Sequence, residues 1–324
     1  MGKNIIVDNF APVIIPTLCR YEHFKECLES LSRCTWAEKT EVYIGLDYPL
    51  NESHREGYEK IKCFLYNTNI KNRFKELHII CRDVNWGASK NLIGLLNLIS
   101  CKYDQWIISE DDNIFSPNFL EYINKGLEIY KNDKSILAIC GWRPFYSIKF
   151  SNNNHFRQNV DFSAWGYGIW KDRYLRYSSF CKKAEFHHCI YNLKFVKKII
   201  QNGGFRLMHF VQISLKKWNK EATDNVLSVY MALHDMDVVM PVVSKVRNMG
   251  WDNSGLHCKM INKELANSHT HQDIDSEKRF EYDGDSRNYY DYNHSVIIRE
   301  NYNKISLCKA LFYLIGRYFL SIVR

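Results

Sequence analysis

Short apolar runs alternate with segments of helical period through the first half of the chain, and this alternation limits the fold more than any other feature. Continuous runs of aliphatic residues bury both faces of a strand. They therefore belong in a largely parallel sheet covered by helices on each side. Ala11–Pro16 reads as the first strand, followed by a helix over Tyr21–Leu31 with Phe24, Leu28 and Leu31 on one face. Glu41–Leu46 is a second strand ending at Asp47, and Glu56–Tyr66 a helix; Leu77–Cys81 and Ser89–Ile99 repeat the pattern. Gln105–Ile108 is a fourth strand, running through Ser109 into Glu110-Asp111-Asp112. Ser116-Pro117 predicts a helix with a capping serine and a proline at its first position, and Phe119, Ile123, Leu127 and Tyr130 form its buried stripe. The second half is less regular. It predicts strands at Ile136–Cys140 and Val238–Val243, and helices at Lys194–Gln201 and Asp224–His234. It also holds a Gly/Trp-rich segment, Asp161–Tyr174, a polar loop-heavy stretch, Met249–Asn293, and a final amphipathic helix, Lys304–Arg324.

Length and charge narrow the function classes. The 324 residues suit one large α/β domain with a small addition, or two modest domains. Lys plus Arg is 44 against 36 Asp plus Glu, a net charge of +8, which attracts anions such as nucleotide diphosphates or acidic lipids. No Lys/Arg run or nucleic-acid-binding signature accompanies it, so nucleic acid is not an expected partner. The 11 cysteines include no CxxC pair and the N-terminus shows no export signal, which gives the expectation of a reducing cytoplasm. No stretch of about eighteen apolar residues is present to span a membrane.

Glu110-Asp111-Asp112 is the sharpest chemical signal. In open α/β sheets ligands sit beyond the carboxyl ends of the strands. Three successive acids there repel one another and call for a compensating cation. A divalent ion with oxygen ligands, Mg2+ or Mn2+, meets that need, and would stabilise a diphosphate as it leaves. The plainer alternative is a solvated acidic turn before the following helix. In Asp161–Trp170 the glycines permit close backbone approach and Trp165 offers a stacking face; the alternative is a packed core segment, with Trp170 in the core.

The first strand and its exit, Val13-Ile14-Ile15-Pro16-Thr17-Leu18-Cys19-Arg20, together with Asp47 and Glu110–Asp112, resemble the nucleotide-sugar half of GT-A glycosyltransferases. The resemblance includes glycosyltransferase family 2 and the N-acetylglucosaminyltransferase I type. It implies a GT-A fold, a Rossmann-like mixed sheet flanked by helices. It implies that Pro16, Thr17 and Arg20 hold base and phosphate and that Asp47 contacts the nucleoside. Asn85-Trp86-Gly87-Ala88-Ser89-Lys90-Asn91 resembles the Asn-x-Gly-x-x-x-Asn turn of family 2, which would bring Asn85, Gly87 and Lys90 to the donor. By the same resemblance Asp112 is the direct metal ligand, Asp111 contacts ribose or donor sugar, and Glu110 orients the site. Trp165 and Gly166 line the sugar pocket. Asp224 is the base, with Asp172 and Glu221 as substitutes. Arg247–His257 looks like the loop that closes over the donor, Arg247 meeting phosphate and His257 completing the metal shell. The chain has Glu-Asp-Asp where family 2 has Asp-x-Asp, which matches the N-acetylglucosaminyltransferase I type better.

The expected organisation is a glycosyltransferase domain over residues 1–262, with a nucleotide half to about 135 and an acceptor half after it. A C-terminal extension, 263–324, carries the helix 304–324. That helix is basic and amphipathic and reads as a membrane-surface contact, so the expected location is cytoplasmic, on the inner face of a membrane. The expected reaction is metal-dependent, inverting transfer from a nucleotide-sugar, UDP-linked, to a glycan or lipid-linked acceptor in surface polysaccharide or glycolipid synthesis. One alternative is a sugar-1-phosphate nucleotidyltransferase, but Pro16–Arg20 lacks the Gly-rich loop it needs. The other is a non-catalytic glycan- or partner-binding member of the same fold. His269-Thr270-His271 reads as a solvated pair of histidines, not a chelate.

Overall fold

The computed structural model describes residues 5–67, 69–145, 154–182, 192, 194–202, 207, 224–252, 254–255 and 263–283. Among them the expected mixed sheet flanked by helices is present. Its strands are β1 (Val13–Thr17), β2 (Glu41–Leu46), β3 (Glu76–Cys81), β4 (Gln105–Ile108), β6 (Ile136–Cys140), β7 (His155–Gln158), β8 (Tyr167–Trp170) and β9 (Asp237–Pro241). The order is β3-β2-β1-β4-β8-β6-β9-β7. β1 to β4 run parallel, β8 is antiparallel to both β4 and β6, and β7 is antiparallel to β9. A separate two-stranded antiparallel ribbon pairs β5 (Asn113–Phe115) with β10 (Val246–Asn248).

Strand alternation divides the core into two layers. Val13 and Ile15 of β1, Val42, Ile44 and Leu46 of β2 and Ile107 of β4 face one side. Ile14, Tyr43, Trp106 and Ile108 face the other. The first side is covered by α1 (Tyr21–Ser32), α2 (Arg55–Asn67) and α4 (Phe119–Ile129), through Phe24, Leu28, Leu31, Ile61, Leu65, Leu120 and Ile123. The second is covered by α3 (Ala88–Ser100), through Leu95, Leu96 and Ile99, and by the helix Asp224–His234. Each fully buried Leu, Ile or Phe here contributes roughly 1.5–3 kcal/mol relative to exposure.

β1 and β4 part early. Their pairing covers only Val13 with Ile107 and Ile14 with Ile108. Pro16 lies past that point, where a missing N–H breaks no ladder bond to β4. β2 and β3 lie on one side of β1 and β4 on the other, so the chain reverses its direction of travel between β1 and β4. The crevice that opens there, at the carboxyl ends, is the topological switch point of the sheet.

Several local expectations change. The helix expected at Ser116-Pro117 begins at Phe119. Ser116 Oγ donates to Asn118 Oδ1 at 3.0 Å and its carbonyl accepts from Phe119 N–H at 3.1 Å, so the segment turns before the helix starts. β5, β7 and β10 had no counterpart among the expected strands. The Gly/Trp segment divides into β8 and α5 (Lys171–Lys182), and the loop-heavy stretch contains the helix Lys263–Thr270. Residues 194–202 are helical as expected. The start of the C-terminal extension packs into the main core: Phe280 and Tyr282 are buried against Tyr122. The helix expected over 304–324 lies outside the described residues, among which no helix is long and apolar enough to cross a membrane.

Candidate active site

The crevice gathers side chains from both flanking strands. Thr17 and Arg20 leave the end of β1, and Glu110, Asp111 and Asp112 leave the end of β4. Thr17 Oγ1 donates to Asp111 Oδ2 at 2.8 Å. Arg20 Nη2 donates to Asp111 Oδ1, and Arg20 Nη1 lies 2.8 Å from Asp112 Oδ2. The sequence argument asked for a cation to compensate these acids and named a divalent metal; in the folded chain the Arg20 guanidinium lies between two of them. Burial opposes its charge, but Asp111 and Asp112 outweigh burial and hold Arg20 firmly cationic.

The ribbon β5–β10 supplies the other wall. Asn248 Nδ2 donates to Asp112 Oδ1 at 2.6 Å, and Met249 N–H to the Asp112 carbonyl at 2.8 Å. Gly250 follows against the carboxylate itself; an added Cβ would collide with Asp112 Oδ2. Part of the expected covering loop is therefore seated on the acids, and His23 Nε2 meets Asp252 Oδ2 at 2.8 Å at its edge. Asn248 is a site residue that sequence reasoning missed. Its role depends on a strand pairing across more than a hundred residues, for which local pattern gives no signal. Side-chain alternation turns Arg247 away from the face that carries Asn248. Its Nε donates to the Gln272 carbonyl at 2.6 Å, so it is not brought to the acids. His257 lies outside the described residues.

Glu110 is solvent-exposed, though protein atoms crowd around it. Desolvation there, followed by repulsion from Asp112, Asp224 and Asp111, pushes its carboxyl well above the usual range, against the pull of Arg20. Asp224 opens the helix Asp224–His234, so the geometry brings the expected base within electrostatic reach of the acid triplet. Asp172 is held away, paired with Lys134 at 2.8 Å, and Glu221 lies outside the described residues.

Asp47 is only 2% exposed. Its carboxylate accepts from the N–H groups of Tyr48 at 3.0 Å, Trp86 at 2.8 Å and Gly87 at 2.8 Å. Asn85 Nδ2 adds a bond to the Tyr48 carbonyl at 2.6 Å. Asp47 and Asn85 thus pin the loop before α3 to the end of β2. Gly87, at φ +75°, takes a backbone conformation that other residues rarely adopt. Asn91 fixes the same loop from behind, donating to the Gly45 carbonyl at 2.7 Å and accepting from Arg82 Nε at 2.9 Å. Lys90 is exposed at the start of α3, and Pro16 is half-buried at the end of β1.

Trp165 stands in an aromatic wall beside the acids. Its ring lies 5.0 Å from Trp142, 5.2 Å from His269 and 6.4 Å from Trp251, the residue after Gly250. Gly166 packs behind it, where a Cβ would crowd Val246 and Phe119 at 3.0–3.2 Å. His269, read from sequence as solvated, is buried: Trp251 stacks on it at 4.4 Å with an interplanar angle of 3°. His271 is exposed, as expected.

Among the described residues, a second carboxylate group lies elsewhere. Glu41, Glu76 and His78 have ligand atoms within 4.8 Å of one another. They sit at the opening ends of β2 and β3, away from the acid triplet. Glu41 already meets Lys75 Nζ at 2.9 Å, Lys102 Nζ at 3.0 Å and His78 Nε2 at 3.1 Å. Burial would raise its pKa, but hydrogen bonds from Tyr103, Lys75, Lys102 and His78 outweigh it and hold the carboxyl well below the usual range. The cluster is an ion-pair network in which resident cations already occupy the carboxylate.

No protein-family model matches the chain, and no curated protein matches it in sequence. Among solved structures it is similar to S. aureus TarS 1-349, at TM-score 0.39 and 10% identity, covering 72% of this chain and 58% of that one. TarS 1-349 in complex with UDP matches at TM-score 0.37 and 13% identity, over 53% of this chain and 49% of that one. The mannosyltransferase PcManGT from Pyrobaculum calidifontis, in complex with GDP-Man and Mn2+, matches at TM-score 0.38 and 13% identity, over 69% and 70%. The chain thus spans about half the length of the TarS chains. At these scores the likeness decides nothing about the site, whose own residues carry the chemistry.

Proposed function

We propose that this chain is an inverting, metal-dependent glycosyltransferase that moves a sugar from a UDP-linked donor to a glycan or lipid-linked acceptor. The observation that carries the reading is the convergence at the sheet's switch point of Thr17 and Arg20 with Glu110–Asp112, and of Asp224 with Glu110. A cationic clamp for a diphosphate, hard oxygen donors and a carboxylate base are what such a displacement requires.

The donor set fits a divalent ion. Asp112 and the exposed Glu110 offer carboxylate oxygens, and the Asp111–Asp112 pair already accommodates a cationic guanidinium. When bound, Mn2+ or Mg2+ would offset the charge that develops on the departing diphosphate. Asp112 would hold the ion and Arg20 would meet the phosphates. The loop pinned by Asp47 would border the nucleoside. Trp165 would present an apolar face to the sugar, and Asp224 would take the proton of the acceptor hydroxyl at its carboxylate as the sugar transfers. Synthesis of a surface polysaccharide or glycolipid, with the helix 304–324 on the inner face of the membrane, accords with that helix's basic amphipathic pattern.

Calorimetric titration with UDP, with and without Mn2+, tests the reading on wild type, Asp112→Asn and Asp224→Asn. Asp112→Asn should lose metal-dependent UDP binding. Asp224→Asn should bind UDP normally and transfer no sugar. Wild-type protein that binds no nucleotide would refute the enzyme, and unchanged transfer by Asp224→Asn would refute the base.

A further inference from the structure

The acids of this site already hold a cation that belongs to the chain. Arg20 bridges Asp111 and Asp112, yet the bridge is unequal. Nη2 makes a hydrogen bond to Asp111. Nη1 pairs with Asp112 Oδ2 at 2.8 Å, but it is poorly aligned for a hydrogen bond, and among the described residues it has no other acceptor. The backbone of Gly250 covers the same Asp112 oxygen, and a Cβ on Gly255 would fall 3.2 Å from Arg20 Nη1. Asp112 Oδ1 is taken by Asn248. Guanidinium, glycine loop and amide together occupy the surroundings of the carboxylate that would ligate a metal.

A divalent ion and a guanidinium repel a few ångströms apart, so the two compete for Asp112. The poorly aligned Nη1 contact is the weaker half of the bridge and the half that an incoming anion can replace. A phosphate oxygen satisfies that donor, and the planar guanidinium pairs well with phosphate through two parallel bonds. We propose that Arg20 is the resident counter-cation of Asp111 and Asp112 and competes with the divalent metal. A nucleoside diphosphate draws Arg20 off Asp112, and the metal position opens. Metal and nucleotide therefore bind cooperatively by exchange of cations on one carboxylate. The inference rests on the nucleotide-sugar reading above and adds an order to it: metal binds weakly until nucleotide arrives.

The experiment is calorimetric titration of Mn2+ into the full chain without nucleotide and with saturating UDP. It compares wild type, Arg20→Gln and Arg20→Lys, with a thermal melt on each to establish folding. Without nucleotide, Arg20→Gln should bind Mn2+ about tenfold more tightly than wild type, within the usual range of site-to-site coupling. The gain should persist at high salt, because displacement of a contacting group is screened far less than a distant charge. UDP should raise the Mn2+ affinity of wild type more than that of Arg20→Gln. Arg20→Lys keeps the charge but loses the two-carboxylate bridge and should fall between them; it stands in should Arg20→Gln fail to fold. Folded variants that bind Mn2+ no better than wild type, while all three bind it with UDP, would overturn the competition and leave the metal site standing. Absence of Mn2+ binding in every chain, with and without UDP, would overturn the metal site and the inference together.

Discussion

Replacing His269 with Phe should flatten the acid-side loss of stability of this protein. The imidazole is 7% exposed and sits among Trp251, Trp142, Trp165 and Phe145. Among the described residues its Nδ1 has no hydrogen-bond partner. Burial in this apolar wall lowers its pKa to about 4, from an ordinary value of 6.5. Between those values the unfolded chain binds a proton that the folded chain does not. The contribution is therefore intact above the ordinary pKa and is lost as pH falls toward about 4. The full difference is worth roughly 3 kcal/mol, of which about 2 kcal/mol is lost between about pH 7.5 and about pH 5. Phe keeps the ring and removes the titration. Urea unfolding of both chains across that window should show the wild type losing about 2 kcal/mol more than His269→Phe. Parallel loss in the two proteins would refute the argument, because it would mean that the histidine reaches water or a partner once charged.

Asp47→Ala leaves three backbone N–H groups without an acceptor at a buried position; it should cost about 2–4 kcal/mol in chemical denaturation and loosen UDP binding, with Asp47→Asn recovering part of both. Gly250→Ala forces a methyl against Asp112 Oδ2 and should lower stability by about 1–3 kcal/mol, read as a shift in the thermal midpoint. Arg173→Met removes a buried donor shared by the carbonyls of Tyr130, Lys131 and Asp133, and a cation 3.3 Å from the centre of the Trp170 ring. It should cost about 2–3 kcal/mol in urea, and a loss under about 0.5 kcal/mol would show that the loop recruits water instead.

What could be read in the sequence was what depends on local pattern. The apolar runs of β1, β2 and β4 and the stripes of α1 and α4 announce themselves because burial on a strand or helix face repeats with a short period. Strands laid parallel put their carboxyl ends on one edge, so the acids after β4 and the residues after β1 were legible as neighbours before any contact was known. The demand for a cation at Glu110–Asp112 was legible too, as electrostatics of adjacent like charges. Which cation answers it was not: Arg20 lies about ninety positions away along the chain, and only the pairing of β1 with β4 brings its guanidinium to Asp111 and Asp112. Asn248 depends on the ribbon β5–β10, two strands of three residues each, too short to leave a period of their own. His269 looked like surface because its immediate neighbours are polar, and its aromatic surroundings come from segments at Trp142, Trp165 and Trp251. Hydrophobic period is a local property of a chain. Charge pairing, burial of a single polar ring and the register of short strands are properties of contacts between distant segments, and only the tertiary structure decides them.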